Sequence, residues 1–163
     1  KAVNSGWKIA AETLHALGLE AWSPNSGSEK ASRGRIENGF SFLSMKFTLD
    51  HVAVTKSARD RILSEIDSTI RSAQRDIQTS LGATRRAEAR FAQTLAALDR
   101  QIRGWGDSFK SVSLRLQFSQ MDDEIDKKLS RFIGWYGDKT KSAETKTRRR
   151  ALGVALLSDT PKD

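Results

Sequence analysis

Carboxylates come closest to a chemical constellation in this chain. Asp122, Asp123, Glu124 and Asp126 cluster together, and metal-dependent phosphoryl transfer needs carboxylates that converge on a cation. At helical spacing Asp122 and Asp126 share a face. The plainer reading, and the preferred one, is the acidic first turn of a helix opening at Ser119-x-x-Asp122, where negative charge complements the helix dipole. The two histidines, His15 and His51, stand far apart without ligand spacing, so a zinc site is not expected. Cysteine is absent, which excludes disulfides, thiolate metal sites and thiol nucleophiles and permits a reducing compartment. No serine sits in a G-x-S-x-G elbow, and Gly104-Trp105-Gly106 is only G-x-G, not a phosphate-cradling loop. These residues support binding better than catalysis.

Charge points to the kind of ligand. The 163 residues carry 28 Lys and Arg against 20 Asp and Glu, a net +8. Residues 55–103 hold ten basic and six acidic side chains, and residues 141–163 hold six and three, whereas 1–50 and 104–140 are nearly balanced. A cationic field of this kind attracts polyanions, nucleic acid first and an anionic membrane second. No apolar run approaches the roughly 20 residues of a membrane span. No charged and apolar leader opens the chain, so a secretory signal is not expected and a cytoplasmic location is. Lys1 rather than Met comes first, and a piece of a longer polypeptide is expected. With only 37% hydrophobic residues, the fold should be elongated or partner-dependent.

Several elements must position these charges. Ile9, Ala10, Leu14 and Leu17 predict a helix over 7–19 with Gly18 as its stop. Ser23 to Ser28 reads as a loop. Residues 36–54 alternate as β-structure: Phe40 and Phe42 share one parity, Met45, Phe47 and Leu49 the other. The phase flips near Leu43-Ser44, which calls for a bulge or tight turn. Three apolar stripes at helical spacing follow. Ile62, Ile66, Ile70, Ala73 and Ile77 form the first, opened by Ser57-x-x-Asp60 and closed at Leu81-Gly82. Ala87, Phe91, Leu95, Leu98 and Ile102 form the second, closed at Gly104. Phe118, Met121, Ile125, Leu129, Phe132 and Tyr136 form the third, closed at Gly137. The expected fold is α+β: a small β-hairpin in residues 1–54, a three-helix bundle in 55–140, and a basic tail in 141–163. In that tail, Ala151 to Leu157 is expected to dock as a short helix or strand behind Arg148-Arg149-Arg150.

Ala10-Ala11-Glu12-Thr13-Leu14-His15-Ala16-Leu17-Gly18-Leu19, then Ser28-Glu29-Lys30, then Gly39-Phe40-Ser41-Phe42-Leu43-Ser44-Met45-Lys46-Phe47 follow in an order and spacing that resemble the end of the palm in the bacterial reverse transcriptases, both group II intron and defence-associated kinds. There a helix ending L-x-x-L-G-L leads through a loop lysine to G-F-x-F-L-G. Ile102-Arg103-Gly104-Trp105-Gly106-Asp107-Ser108-Phe109 resembles the thumb segment I-x-G-W-x-x-Y/F. Phe118 to Leu129 resembles the helix after it. The likeness covers roughly residues 5–136.

That resemblance implies roles. Lys30 would lie beside the incoming nucleotide as proton donor to the pyrophosphate leaving group. Gly39, Phe40, Phe42, Leu43 and Ser44 would form the primer grip, although the rings of Phe40, Phe42 and Phe47 are themselves expected mainly as core. Ser44 stands where the family has Gly. Lys56, Arg59, Arg61, Arg71, Arg75, Arg85, Arg86 and Arg90 would face the template–primer phosphates, with about half of such charges merely solvated. Trp105 would be a core anchor first and a base-stacking surface second. The catalytic Y-x-D-D motif would lie just upstream of Lys1. Mg²⁺ would therefore be bound by aspartates outside this sequence, with none inside it, and the partners would be an RNA template, a DNA primer and the N-terminal reverse transcriptase part. Antiphage defence is expected ahead of intron mobility, since only a short basic tail follows Tyr136. Two other classes compete: a stand-alone, maturase-like RNA-binding module without polymerase activity, and a purely structural helical partner.

Overall fold

The computed structural model describes residues 2–21, 34–82, 91–154 and 156–159. Among them are five α-helices and one three-stranded antiparallel sheet, an α+β arrangement dominated by helix. The chain divides into two compact units, residues 1–40 and 41–163.

In the first unit, α1 spans Ala2–Ala16, starting five residues earlier than the apolar spacing predicts. It ends at Ala16, three residues before the predicted limit, with Gly18 as the expected stop. Gly18 adopts φ 73°, its N–H bonds His15 O at 3.0 Å, and Leu19 N–H reaches back to Leu14 O at 2.9 Å. This paired closure is the Schellman motif, which needs a left-handed residue.

β1 (Phe40–Phe42), β2 (Met45–Phe47) and β3 (Val52–Val54) lie in that order in the sheet. The phase flip resolves as a two-residue turn. Leu43 and Ser44 take φ 47° and 64°, the doubly positive signature of a type I′ hairpin, whose twist matches that of its strands. The strands β2 and β3 pair Met45 with Val54 and Phe47 with Val52. The outer edge of β3 is covered rather than left open. Val52 O accepts Ser113 N–H and Leu114 N–H, both at 3.1 Å, and Gln117 Oε1 accepts Val54 N–H at 2.9 Å.

Helix α2 spans Lys56–Gly82. Its cap is Thr55, whose Oγ1 accepts Ala58 N–H at 3.4 Å, and not Ser57 as the sequence spacing proposed. Asp60 pairs with Lys56 instead of closing a capping box. All five residues of the first stripe, Ile62, Ile66, Ile70, Ala73 and Ile77, are buried. Helix α3 spans Phe91–Ser108 and runs through Gly104, the expected stop. A mid-helix glycine costs about 1 kcal/mol. Trp105 lies just beyond it and packs against both hydrophobic clusters, enough to carry the helix on.

Helix α4 spans Leu116–Thr140, three residues earlier and three residues later than its predicted limits. Asp122 and its acidic neighbours therefore lie beyond the first turn, which holds no acid. The dipole explanation for them fails. Helix α5 spans Thr145–Leu152 and ends in a second Schellman closure at Gly153, φ 98°, with Val154 N–H on Arg149 O at 3.2 Å. It packs on α2 and α3, and Ala151 is buried in the main cluster beside Phe91, Leu98 and Phe132. Residues 145–152 thus belong to the bundle, and they do so as a helix. Between α4 and α2, Lys128 Nζ meets Asp67 Oδ2 at 2.6 Å, with the lysine side chain only 19% exposed.

Candidate nucleic-acid interface

The outward face of α2 is built by the same periodicity that builds its core. At roughly 100° per residue, Arg61, Arg71 and Arg75 project within about 40° of the direction opposite the buried isoleucines. Ser64, Ser68 and Ser72 are exposed with them. The acids of this helix fall to the flanks and are engaged in part: Asp60 by Lys56, Glu65 by Arg61 Nε at 2.9 Å, Asp67 by Lys128. Arg71 and Arg75 are exposed and form no ion pair among the described residues. A row of guanidinium and hydroxyl groups on one helix face suits phosphates, which Arg binds through a planar fork of donors.

Arg59 behaves differently. It lies on the core side of α2, partly buried, and its Nε is buried without a hydrogen-bond partner. It lines a polar groove of about 400 Å³ with Asp60, Asp123, Glu124 and Lys127, so acids surround it and it does not join the outward row. Lys30, Arg85, Arg86 and Arg90 lie outside the described residues. The same holds for Ala87 and the loop at 23–28.

The hairpin presents its rings to solvent. Phe40 is 50% exposed, Phe42 60% and Leu43 70%, against the expectation that these rings are core. Phe47 is half-buried. The reason is topological: β1 is the edge strand, and the apolar cluster at this end gathers Val54, Phe109 and Val112 with Met45 and Val52 of the other two strands. Gly39 takes φ 68°, and Ser44 O accepts Thr55 N–H at 2.9 Å, which ties the turn to the start of α2.

Trp105 is half-buried. Its ring lies 4.8 Å from that of Phe109 and 6.0 Å, edge-on, from that of Phe118. It anchors α3, and its remaining surface lines a cleft of about 350 Å³ with Gly106, Phe118, Lys110 and Arg115. Sequence reasoning did not find this cleft, because it needs the crossing of α3 and α4, which no local pattern encodes. Arg115 lies over the Phe118 ring at 5.3 Å and donates to Lys110 O at 3.0 Å. Arg103 is held by both oxygens of Asp99 at 2.9 Å, and that hydrogen bond raises its pKa. Burial raises the pKa of the Tyr136 hydroxyl, while nearby Arg148 opposes the shift.

Among the described residues no group of three His, Asp or Glu side chains is placed to hold a metal ion, and no helix is long and apolar enough to cross a membrane. No family model, curated protein or solved structure matches the chain.

Proposed function

We propose that this chain is the nucleic-acid-gripping C-terminal part of a reverse transcriptase: the end of the palm followed by the thumb. Three features support the reading. A tight hairpin with exposed aromatic residues precedes a helical bundle in the order the resemblance implies. The net charge is strongly positive. The outward face of α2 carries Arg61, Arg71 and Arg75, of which Arg61 is paired with Glu65 and Arg71 and Arg75 form no ion pair among the described residues, and this last observation carries the proposal. In this reading α2 tracks the phosphates of the template–primer, the hairpin meets the primer end, and an upstream part supplies the Mg²⁺-binding aspartates for attack of the primer 3′-OH on a nucleotide. Lys30 acts there as the general acid. This chain alone does not polymerise.

The test has two arms. The triple variant Arg61→Ala, Arg71→Ala, Arg75→Ala is titrated with an RNA–DNA hybrid across a salt series. Each lost phosphate contact lowers the slope of log K against log salt by roughly 0.7–0.9, so a slope shallower by about 2 is expected; an unchanged slope removes α2 from the interface. Mixing with an upstream fragment carrying Y-x-D-D then separates polymerase from maturase-like module. Primer extension supports the first, and tight binding without extension supports the second.

A further inference from the structure

The cleft between α3 and α4 holds features that the bundle itself does not require. Its floor is Met121 and Ile125, its walls include Trp105 and Phe118, and its rim carries Lys110 and Arg115 near Asp107 and Asp122. Lys110, Asp107 and Asp122 enter no ion pair among the described residues. Lys110 and Asp122 are therefore available to a ligand at this mouth, while Arg115 lies beside them on Lys110 O and the Phe118 ring and Asp107 faces Arg103.

Gly106 sharpens the point. It lies inside α3, where glycine is disfavoured relative to alanine. A Cβ added there would meet nothing within 4 Å, so no close approach within the chain demands glycine. Gly106 does line the cleft, and a side chain there would narrow its mouth. A volume of about 350 Å³ is at the small end for ligand sites, the scale of a nucleoside. Phe118 stands edge-on to Trp105 and is covered by Arg115, so the Trp105 ring is the aromatic surface on which a planar base can stack. The adjoining cations take a phosphate, and the carboxylates accept from the ring's N–H groups.

We propose that this cleft binds one unstacked nucleobase of a single-stranded nucleic acid, the base against Trp105 and its phosphate on Lys110 and Arg115. The site rests on the nucleic-acid-binding reading above and extends it from phosphates to a base. It gives the protein a preference for single-stranded over blunt duplex nucleic acid.

The experiment follows the Trp105 indole N–H by NMR in the full chain, assigned with Trp105→Phe, during titration with guanosine monophosphate and separately with ribose 5-phosphate. A saturable shift with the nucleotide and none with the sugar phosphate is expected. Gly106→Leu adds bulk at the mouth, where a Cβ meets nothing within 4 Å, and Lys110→Glu reverses an exposed rim charge. Each should weaken binding of an eight-nucleotide single strand at least about fivefold, the loss of one stacked base, and leave binding of a blunt duplex unchanged. An unmoved Trp105 resonance, or a Gly106→Leu protein that melts no lower than the parent and binds the single strand as tightly, overturns the proposal. Failure of the α2 reading looks different: the triple arginine variant would then bind duplex normally while the Trp105 shift persists.

Discussion

Two residues carry backbone conformations that their side chains disfavour. Leu43 and Ser44 both lie at positive φ, which costs a side-chain-bearing residue roughly 1–2 kcal/mol. Type I′ turns favour Asn-Gly at these positions. Leu43→Asn with Ser44→Gly should therefore raise stability by about 1–2 kcal/mol in a denaturant titration. If the Leu43 side chain helps to grip primer, the same variant should bind template–primer more weakly while being more stable. Tyr136 offers an independent check at this scale. It is the chain's single tyrosine, its OH donates to Arg148 O at 3.4 Å, and burial raises its pKa above the ordinary 10.0. The folded state thus holds the proton more tightly than the unfolded one. The associated stability is fully present below the unfolded value and is lost as pH rises through the folded value. An alkaline absorbance titration should place the tyrosinate midpoint above 10.0 in the native protein. A midpoint at or below that value contradicts the burial of this ring.

At the scale of elements, glycine is the main source of disagreement between sequence and structure. Gly104 and Gly137 read as stops, yet α3 and α4 run through them. A stop needs a left-handed residue and back-reaching hydrogen bonds, as Gly18 and Gly153 have. Nothing in the local sequence separates the two kinds, because the difference is whether residues beyond the glycine pack, as Trp105 and Thr140 do. Apolar stripes were legible because each helix shows one face to a shared core. The phase flip at Leu43-Ser44 was legible because strand parity cannot change without a turn. Helix α5 was not, since half of its residues are charged and it contributes one small buried residue, Ala151. Gly104, Gly134 and Gly137 have open space where a Cβ would lie. Replacing each with Ala should therefore stabilise the bundle by about 0.5–1 kcal/mol, measured by thermal melting. Loss of stability at Gly137 would mean that α4 ends there in solution.

For the whole molecule, charge and core share one unit. Residues 41–163 hold 23 basic and 16 acidic side chains, a net +7 of the total +8. Both hydrophobic clusters, from Met45 to Ala151, lie within the same unit. The first unit contributes a 15-residue helix with Ile9, Leu17 and Leu19 exposed. A helix of that length is marginal alone in water. It follows that a chain of residues 41–163 should fold on its own, unfold in a single cooperative transition and keep the salt-dependent affinity for an RNA–DNA hybrid, since phosphate contacts set that dependence. A chain of residues 1–40 should show little helix by circular dichroism. The two outcomes that matter are separable. If 41–163 folds but binds with a shallower salt slope than the full chain, phosphate contacts also come from residues 1–40, where Lys30 lies. If it folds and binds with an unchanged slope, the grip belongs to the bundle, and Lys30 is left with chemistry as its only role in the proposed polymerase.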